Sequence, residues 1–100
     1  MYDMQNLALL ERLSQSSPKT FAAYQALDSA AFAAGAIPLK YKELIAVAIA
    51  VATQCPYCLR IHGEKAREAD ATEKETSEAV MIAVALRAGG ALTHATHALE

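Results

Sequence analysis

The sequence is poor in the residues that punctuate or cross-link a chain. Its 100 residues include two Cys, three Pro, four Gly and no Trp. Two cysteines exclude a disulfide-stapled secreted scaffold, and so little Pro and Gly excludes a low-complexity linker or a collagen-like repeat. Val, Ile and Thr together number 15, and no stretch alternates apolar and polar residues for long, so strands have little support. Charge of one sign is lacking too. Nine Lys and Arg against eleven Asp and Glu leave a formal charge of −2, which excludes the basic footprint of a nucleic-acid binder. The longest apolar runs, 45–53 and 79–86, fall short of the ~20 residues that cross a bilayer, so no membrane span is expected. Residues Met1 to Gln5 lack the basic start and apolar stretch of a signal peptide. The expected location is therefore the cytoplasm, where thiols are kept reduced.

Alanine is what the chain has in abundance. Hydrophobic residues make up 54% of it, and 23 residues are Ala, so side-chain bulk is modest. A domain of this size buries only about 60–70% of its unfolded surface, and Ala contributes less apolar area than Leu or Phe. Association between copies would supply the missing burial, and a homo-oligomer is expected.

Residues 1–100 read as one all-α domain of about six helices. Leu7, Leu10 and Leu13 share a face of a first helix over about 4–14, which Ser16, Ser17 and Pro18 stop. Ser17 and Pro18 suit the cap and first position of a second helix, with Phe21, Tyr24, Ala31 and Phe32 on its apolar side and Gly35 as a left-handed exit. A third, Lys40 to Thr53, is apolar on nearly every side after Glu43, the pattern of a central helix buried by several neighbours. Pro56 should open a fourth helix running to about Ala69, with Asp70 and Ala71 as a joint. Thr72 and Glu75 have capping-box spacing for a fifth helix, lined by Val80, Met81, Val84 and Leu86, which Gly89 and Gly90 should end. A last short helix should run from Ala91 to about Leu99.

The chemistry lies between Cys55 and His62. Both cysteines of the chain fall three apart at the expected start of the fourth helix, where unpaired backbone N–H groups and the positive end of the helix dipole favour a thiolate. His62 follows Cys58 by four residues, one turn along the same face, so its imidazole can take the thiol proton directly or through a water. This pattern is a dithiol beside a base. Two blander arrangements use the same residues: cysteines that merely pack, and a zinc site from Cys55, Cys58, His62 and a carboxylate. His94 and His97 lie three apart and share a face, most simply as a surface or interface pair. The mixed charges of Lys65, Arg67, Glu68, Glu73, Lys74 and Glu75 read as a solvated face.

Glu43 is the one carboxylate at the start of the otherwise apolar third helix. It reads either as a hydrated first-turn acid that complements the helix dipole, or as the partner that fixes the tautomer of His62. In an ideal hairpin turning near Cys55, Glu43 lies roughly 16 Å back from the turn and His62 roughly 10 Å, so a crossing angle, long side chains or a water must close the gap.

Glu43, eleven intervening residues, then Cys55-x-x-Cys58-x-x-x-His62 on Ala-rich helices resembles the AhpD-like alkylhydroperoxidase branch of the carboxymuconolactone decarboxylase family. The resemblance covers about Pro18 to Leu99. It implies an all-α fold, assembly into trimers or hexamers, and a dithiol that reduces peroxides or exchanges electrons with a thiol or disulfide partner; no cofactor or metal is expected. Carried over, Cys58 is the attacking thiol, Cys55 the resolving one, and Glu43 with His62 the proton relay. Position at the helix start alone would favour Cys55 as the more acidic thiol. Where the family's peroxidase pattern has a second histidine before the second cysteine, this chain has Tyr57, whose ordinary pKa of about 10 makes it a poor base at neutral pH. Two other functions compete: the decarboxylation that names the wider family, for which a dithiol is surplus, and a non-enzymatic redox or metal sensor.

Overall fold

A computed structural model describes residues 2–100 and is all-α, with no strand among them. The α-helices are α1 (Leu10–Ser16), α2 (Pro18–Phe32), α3 (Leu39–Thr53), α4 (Pro56–Glu68) and α5 (Glu73–His94), with 3-10 segments at Met4–Leu9 and Ala95–Leu99. They form two compact units divided between Leu39 and Lys40.

In the first unit Asp3 caps the 3-10 segment, its carboxylate accepting from the backbone N–H of Gln5 at 2.9 Å. Ser17 and Pro18 start α2 as their types predict, with Pro18 in the first turn, although the Ser17 side chain makes no capping bond. The exit differs from expectation. The helix ends at Phe32, where Ala33 turns to extended backbone, and Gly35 does not adopt a positive φ. An extended residue after the last turn reverses nothing, so no left-handed residue is required.

In the second unit Leu44, Val47 and Ala66 form a buried cluster against which Ala71, Ala79 and Val80 pack. The buried residues of α3 are Glu43, Leu44, Val47 and Ala50, a single stripe at helical spacing. Among the described residues the expected cover on all sides is not found: Ile45 is 47% and Ile49 56% exposed. The predicted capping box at the start of α5 is present, Thr72 Oγ1 accepting from the Glu75 N–H at 3.0 Å and Glu75 accepting from the Thr72 N–H at 2.9 Å. Glu75 also pairs with Lys40 at 2.9 Å, so it is not simply part of a solvated face. The helix then runs through Gly89 and Gly90 to His94. Neither glycine has positive φ, and the Ala- and Leu-rich sequence beyond them sustains the helix despite about 1 kcal/mol per glycine. The expected sixth helix is thus the tail of α5 and its 3-10 extension. Taken together, Glu73–Leu99 spans 27 residues with a mean hydropathy of 1.3 over its most apolar window. By length and composition alone it is long and apolar enough to cross a membrane, a property the uninterrupted apolar run 79–86 understates because Arg87 divides the helix.

The two reversals in this unit share one design. After α3, the N–H of Gln54 bonds to Val51 O and that of Cys55 to Ala50 O. After α4, Asp70 bonds to Arg67 O and Ala71 to Ala66 O. Gln54 and Asp70 take the left-handed conformation, with φ of 57° and 68°. Both are Schellman motifs, with a non-glycine residue at the position that usually holds glycine.

Candidate active site

Cys55 belongs to two elements at once. It donates the closing hydrogen bond of the α3 reversal, Cys55 N–H to Ala50 O at 3.0 Å, and it is the N-cap of α4. Pro56 explains the second role: a residue before proline is pushed to extended backbone, and Cys55 has φ −99° and ψ 99°. Its Sγ accepts from the Cys58 N–H at 3.2 Å, so the first turn of α4 offers its amide to sulfur. Cys55 and Cys58 are joined as a disulfide across a Cα–Cα distance of 5.4 Å. With the sulfurs bonded to each other, neither is a thiolate ligand for a metal in this state. Cys58 is exposed and Cys55 half-buried.

Glu43 and His62 meet directly. His62 Nδ1 lies 2.7 Å from Glu43 Oε2, with side-chain exposures of 16% and 4%. No water is needed to span the axial offset of the ideal hairpin. Glu43 is the buried charged residue among those described, and no buried side-chain N or O among them lacks a hydrogen-bond partner. The hydrated first-turn acid is therefore overturned: a carboxylate is buried here because an imidazole meets it. An ionised carboxylate only accepts, so with Glu43 ionised Nδ1 is the donor of this contact and Nε2 is the ring nitrogen turned away from Glu43. Cys58 and His62 are one turn apart on α4, on one face.

Next to Cys55, Ala50, Val51, Gln54, Pro56 and Leu59 line a shallow, mainly apolar depression of roughly 380 Å³. Arg87, from the middle of α5, donates to the carbonyl of Ala52 in the last turn of α3. Sequence reasoning passed over both Gln54 and Arg87. The signal for Arg87 was present, since it is the single charged residue between Glu78 and His94. His94 and His97 pack edge to face, with ring centroids 4.9 Å apart, and His97 Nδ1 lies 2.9 Å from Glu100 Oε1. Both histidines are exposed. Among the described residues no three His, Cys, Asp or Glu side chains are grouped as metal ligands.

Residues 18–100 match the model of the carboxymuconolactone decarboxylase family. The chain is 41% identical over 92 residues to an uncharacterized protein in the cox locus of Paracoccus denitrificans, covering 92% of this chain and 83% of that protein. An uncharacterized protein of Haemophilus influenzae is 44% identical over 88 residues, 88% of this chain and 78% of its own length. Among solved structures, a protein of Methanobacterium thermoautotrophicum superposes with a TM-score of 0.82 at 33% identity, covering 90% of this chain and 98% of that one. A carboxymuconolactone decarboxylase family protein of Legionella pneumophila, in its apo form, superposes with a TM-score of 0.79 at 35% identity, covering 95% and 85%.

Proposed function

The chain belongs to the carboxymuconolactone decarboxylase family, and from that premise we propose that it is a dithiol oxidoreductase of the AhpD-like branch, reducing organic hydroperoxides or the disulfides of a partner protein. The observation that carries this reading is the buried Glu43–His62 contact one helical turn from a Cys55–Cys58 disulfide. Decarboxylation gives that sulfur pair no task.

In the reduced protein, His62 Nε2 takes the proton of the Cys58 thiol while Glu43 holds the imidazolium through Nδ1. The Cys58 thiolate attacks the terminal oxygen of a hydroperoxide. The O–O bond breaks, Cys58 becomes a sulfenic acid, and the alkoxide leaves as an alcohol with the proton held on His62. The Cys55 thiol then attacks the Cys58 sulfur, releasing water and forming the disulfide. A dithiol donor returns two electrons and two protons and leaves as its own disulfide. The exposure of Cys58 suits it to attack and the partial burial of Cys55 suits it to resolve. The apolar depression beside Cys55 suits the alkyl part of an organic hydroperoxide.

Homo-oligomerisation to a trimer or hexamer belongs to the same proposal. Ile45, Ile49, Leu86 and Leu92 are 47%, 56%, 71% and 74% exposed, and apolar faces of this extent on a small chain are covered by further copies. The deciding experiment counts free thiols in the reduced protein before and after one equivalent of an alkyl hydroperoxide. The expected result is the loss of both thiols with a mass decrease of two hydrogens. Sulfinic acids on both cysteines without a disulfide overturn the resolving role, and two unreacted thiols overturn the peroxidase.

A further inference from the structure

Outside the Glu43–His62–dithiol set, Arg87 bonds to the end of α3 from another helix. We propose that Arg87 is a positioning residue for the Cys55–Cys58 couple: its guanidinium caps the carbonyl end of α3, so that the amide end of α4 governs the sulfur at Cys55. The inference rests on the dithiol reading above and adds a residue that acts on it from a different helix.

A helix leaves its last four carbonyls without intrahelical partners, and their partial charges amount to about −0.5 at that end, with about +0.5 at the opposite end of the next helix. Cys55 stands between two such ends. The amide end of α4 favours negative charge on the dithiol and delivers the Cys58 N–H to Cys55 Sγ. The carbonyl end of α3, one residue pair upstream, opposes it. Two of those carbonyls are closed from within the turn, Ala50 by Cys55 and Val51 by Gln54. The next, Ala52, is closed by Arg87 from 35 residues away, and this closure brings a full positive charge. Residues 44–53 of α3 and Gln54 after it include no ionisable side chain. On α4 the ionisable groups near the dithiol are Tyr57, Arg60, which pairs with Glu64 at 2.9 Å, and His62, which meets Glu43. From α5 the group facing this turn is Arg87, the one charge in an otherwise uncharged stretch from Ala79 to Thr93.

Reduction of the disulfide by glutathione oxidises two glutathione thiols to one disulfide and places two electrons on the Cys55–Cys58 pair. Cys55 ends as the resolving thiol, and Cys58, in the same first turn of α4, divides between thiol and thiolate. A cation at the α3 end stabilises the thiolate and hence the reduced protein, whereas the uncharged disulfide gains nothing from it. Arg87 therefore raises the thiolate fraction and makes the pair easier to reduce.

The experiment uses the full chain, reduced, in three forms: wild type, Arg87→Gln and Arg87→Lys. Iodoacetamide reaction followed against pH reads the thiolate fraction, and equilibration in glutathione buffers reads the redox constant. Arg87→Gln should lower the thiolate fraction at pH 7 about two- to fivefold, the usual worth of a charge at a helix end, and shift the glutathione equilibrium toward the protein disulfide by up to the same factor. Arg87→Lys should recover most of it. Because Arg87 is exposed, about 1 M salt should screen it, lowering the wild-type thiolate fraction while moving Arg87→Gln far less. Unchanged pH profile and redox constant in Arg87→Gln overturn the proposal, whatever happens to its melting temperature. Should Arg87→Gln not fold, a wild-type profile that is insensitive to salt overturns it equally. A wild-type protein that never equilibrates with glutathione sinks the dithiol reading itself, a result distinct from either.

Discussion

The junction between α3 and α4 and the junction between α4 and α5 are built alike and used differently. Each closes a helix with the same pair of reverse hydrogen bonds and a left-handed residue, Gln54 in one and Asp70 in the other. They differ in how many residues perform the next two tasks. At the second junction Ala71 follows the left-handed residue and packs against the Leu44, Val47 and Ala66 cluster, and Thr72 then caps α5 with oxygen. At the first, Cys55 does both, ending one helix and capping the next with sulfur. Sulfur is a weak acceptor, so α4 begins with its amide field less fully satisfied than that of α5, where a hydroxyl and a carboxylate close the box. One junction spends its geometry on packing and the other keeps it for a reactive atom.

The largest test of that contrast is chemical. His62→Ala and Glu43→Gln should each slow the reaction of Cys58 with an alkyl hydroperoxide by roughly 10²–10⁴-fold, as measured by stopped-flow thiol loss. Their effects should not add, because two residues of one relay lose their function together. A fully additive double variant separates Glu43 from the relay and leaves it as a structural acid. Replacing Tyr57 by His restores the second imidazole of the family's peroxidase pattern and should raise the rate.

A stability measurement is the next largest. Ala71→Asp puts a charge where the second junction packs, and urea unfolding should show a loss of about 1–3 kcal/mol. The rate of the dithiol should stay at its wild-type value. A change in that rate would mean the two junctions are not independent.

Smaller again is the relief of backbone strain. A left-handed residue other than glycine is disfavoured by about 1 kcal/mol, and Asp tolerates the conformation better than Gln. Gln54→Gly should therefore stabilise the protein by up to about 1 kcal/mol and Asp70→Gly by less. On a chain of this length about 1 kcal/mol moves the melting midpoint by about 4–8 °C. Equal gains at both turns would remove the strain difference from the comparison.

The same turns explain what the sequence allowed one to see. Helix starts were legible because their signals are local: Pro18, Pro56 and the Thr72–Glu75 pair each sit where their backbone chemistry requires. Helix ends were legible before Pro56 and at the Asp70–Ala71 joint, where α3 stops at Thr53 and α4 at Glu68, but not where glycine was the signal. Gly35 and Gly89–Gly90 permit a left-handed exit without demanding one, while the residues that take it are Gln54 and Asp70. Cys55, Cys58 and His62 were legible as a group because one helix carries them. The partnership of Glu43 with His62 depends on how α3 crosses α4, which no spacing within either helix encodes. Arg87 reaches Ala52 across 35 residues for the same reason. The apolar sides of α3 were readable as buried surface, but their sequence cannot say whether the cover comes from the same chain.

The smallest expected effect lies at the closed end of the comparison, the start of α5. The Glu75 carboxyl is held below its ordinary value of 4.5, first by the hydrogen bond from the Thr72 backbone N–H and then by Lys40, while the Lys40 amine is raised above 10.5 by its bond to Glu75. A depressed carboxyl contributes stability above its unfolded pKa and loses it as pH falls through the lower folded value. A raised amine contributes fully below 10.5 and loses its share as pH rises through the higher folded value. Glu75→Gln keeps an acceptor for the Thr72 N–H but removes the titration and the pair. The melting midpoint of the wild type should therefore exceed that of Glu75→Gln by a small, constant margin between about pH 5 and 9, and the two curves should converge as pH falls below 4.5 and through the lowered folded value. Because both side chains are solvent-accessible, the margin should also shrink with added salt. Parallel curves from pH 3 to 7 would show that the α5 start is closed by hydrogen bonds alone, and the contrast with the sulfur-capped start of α4 would then lie in the acceptor atoms and not in charge.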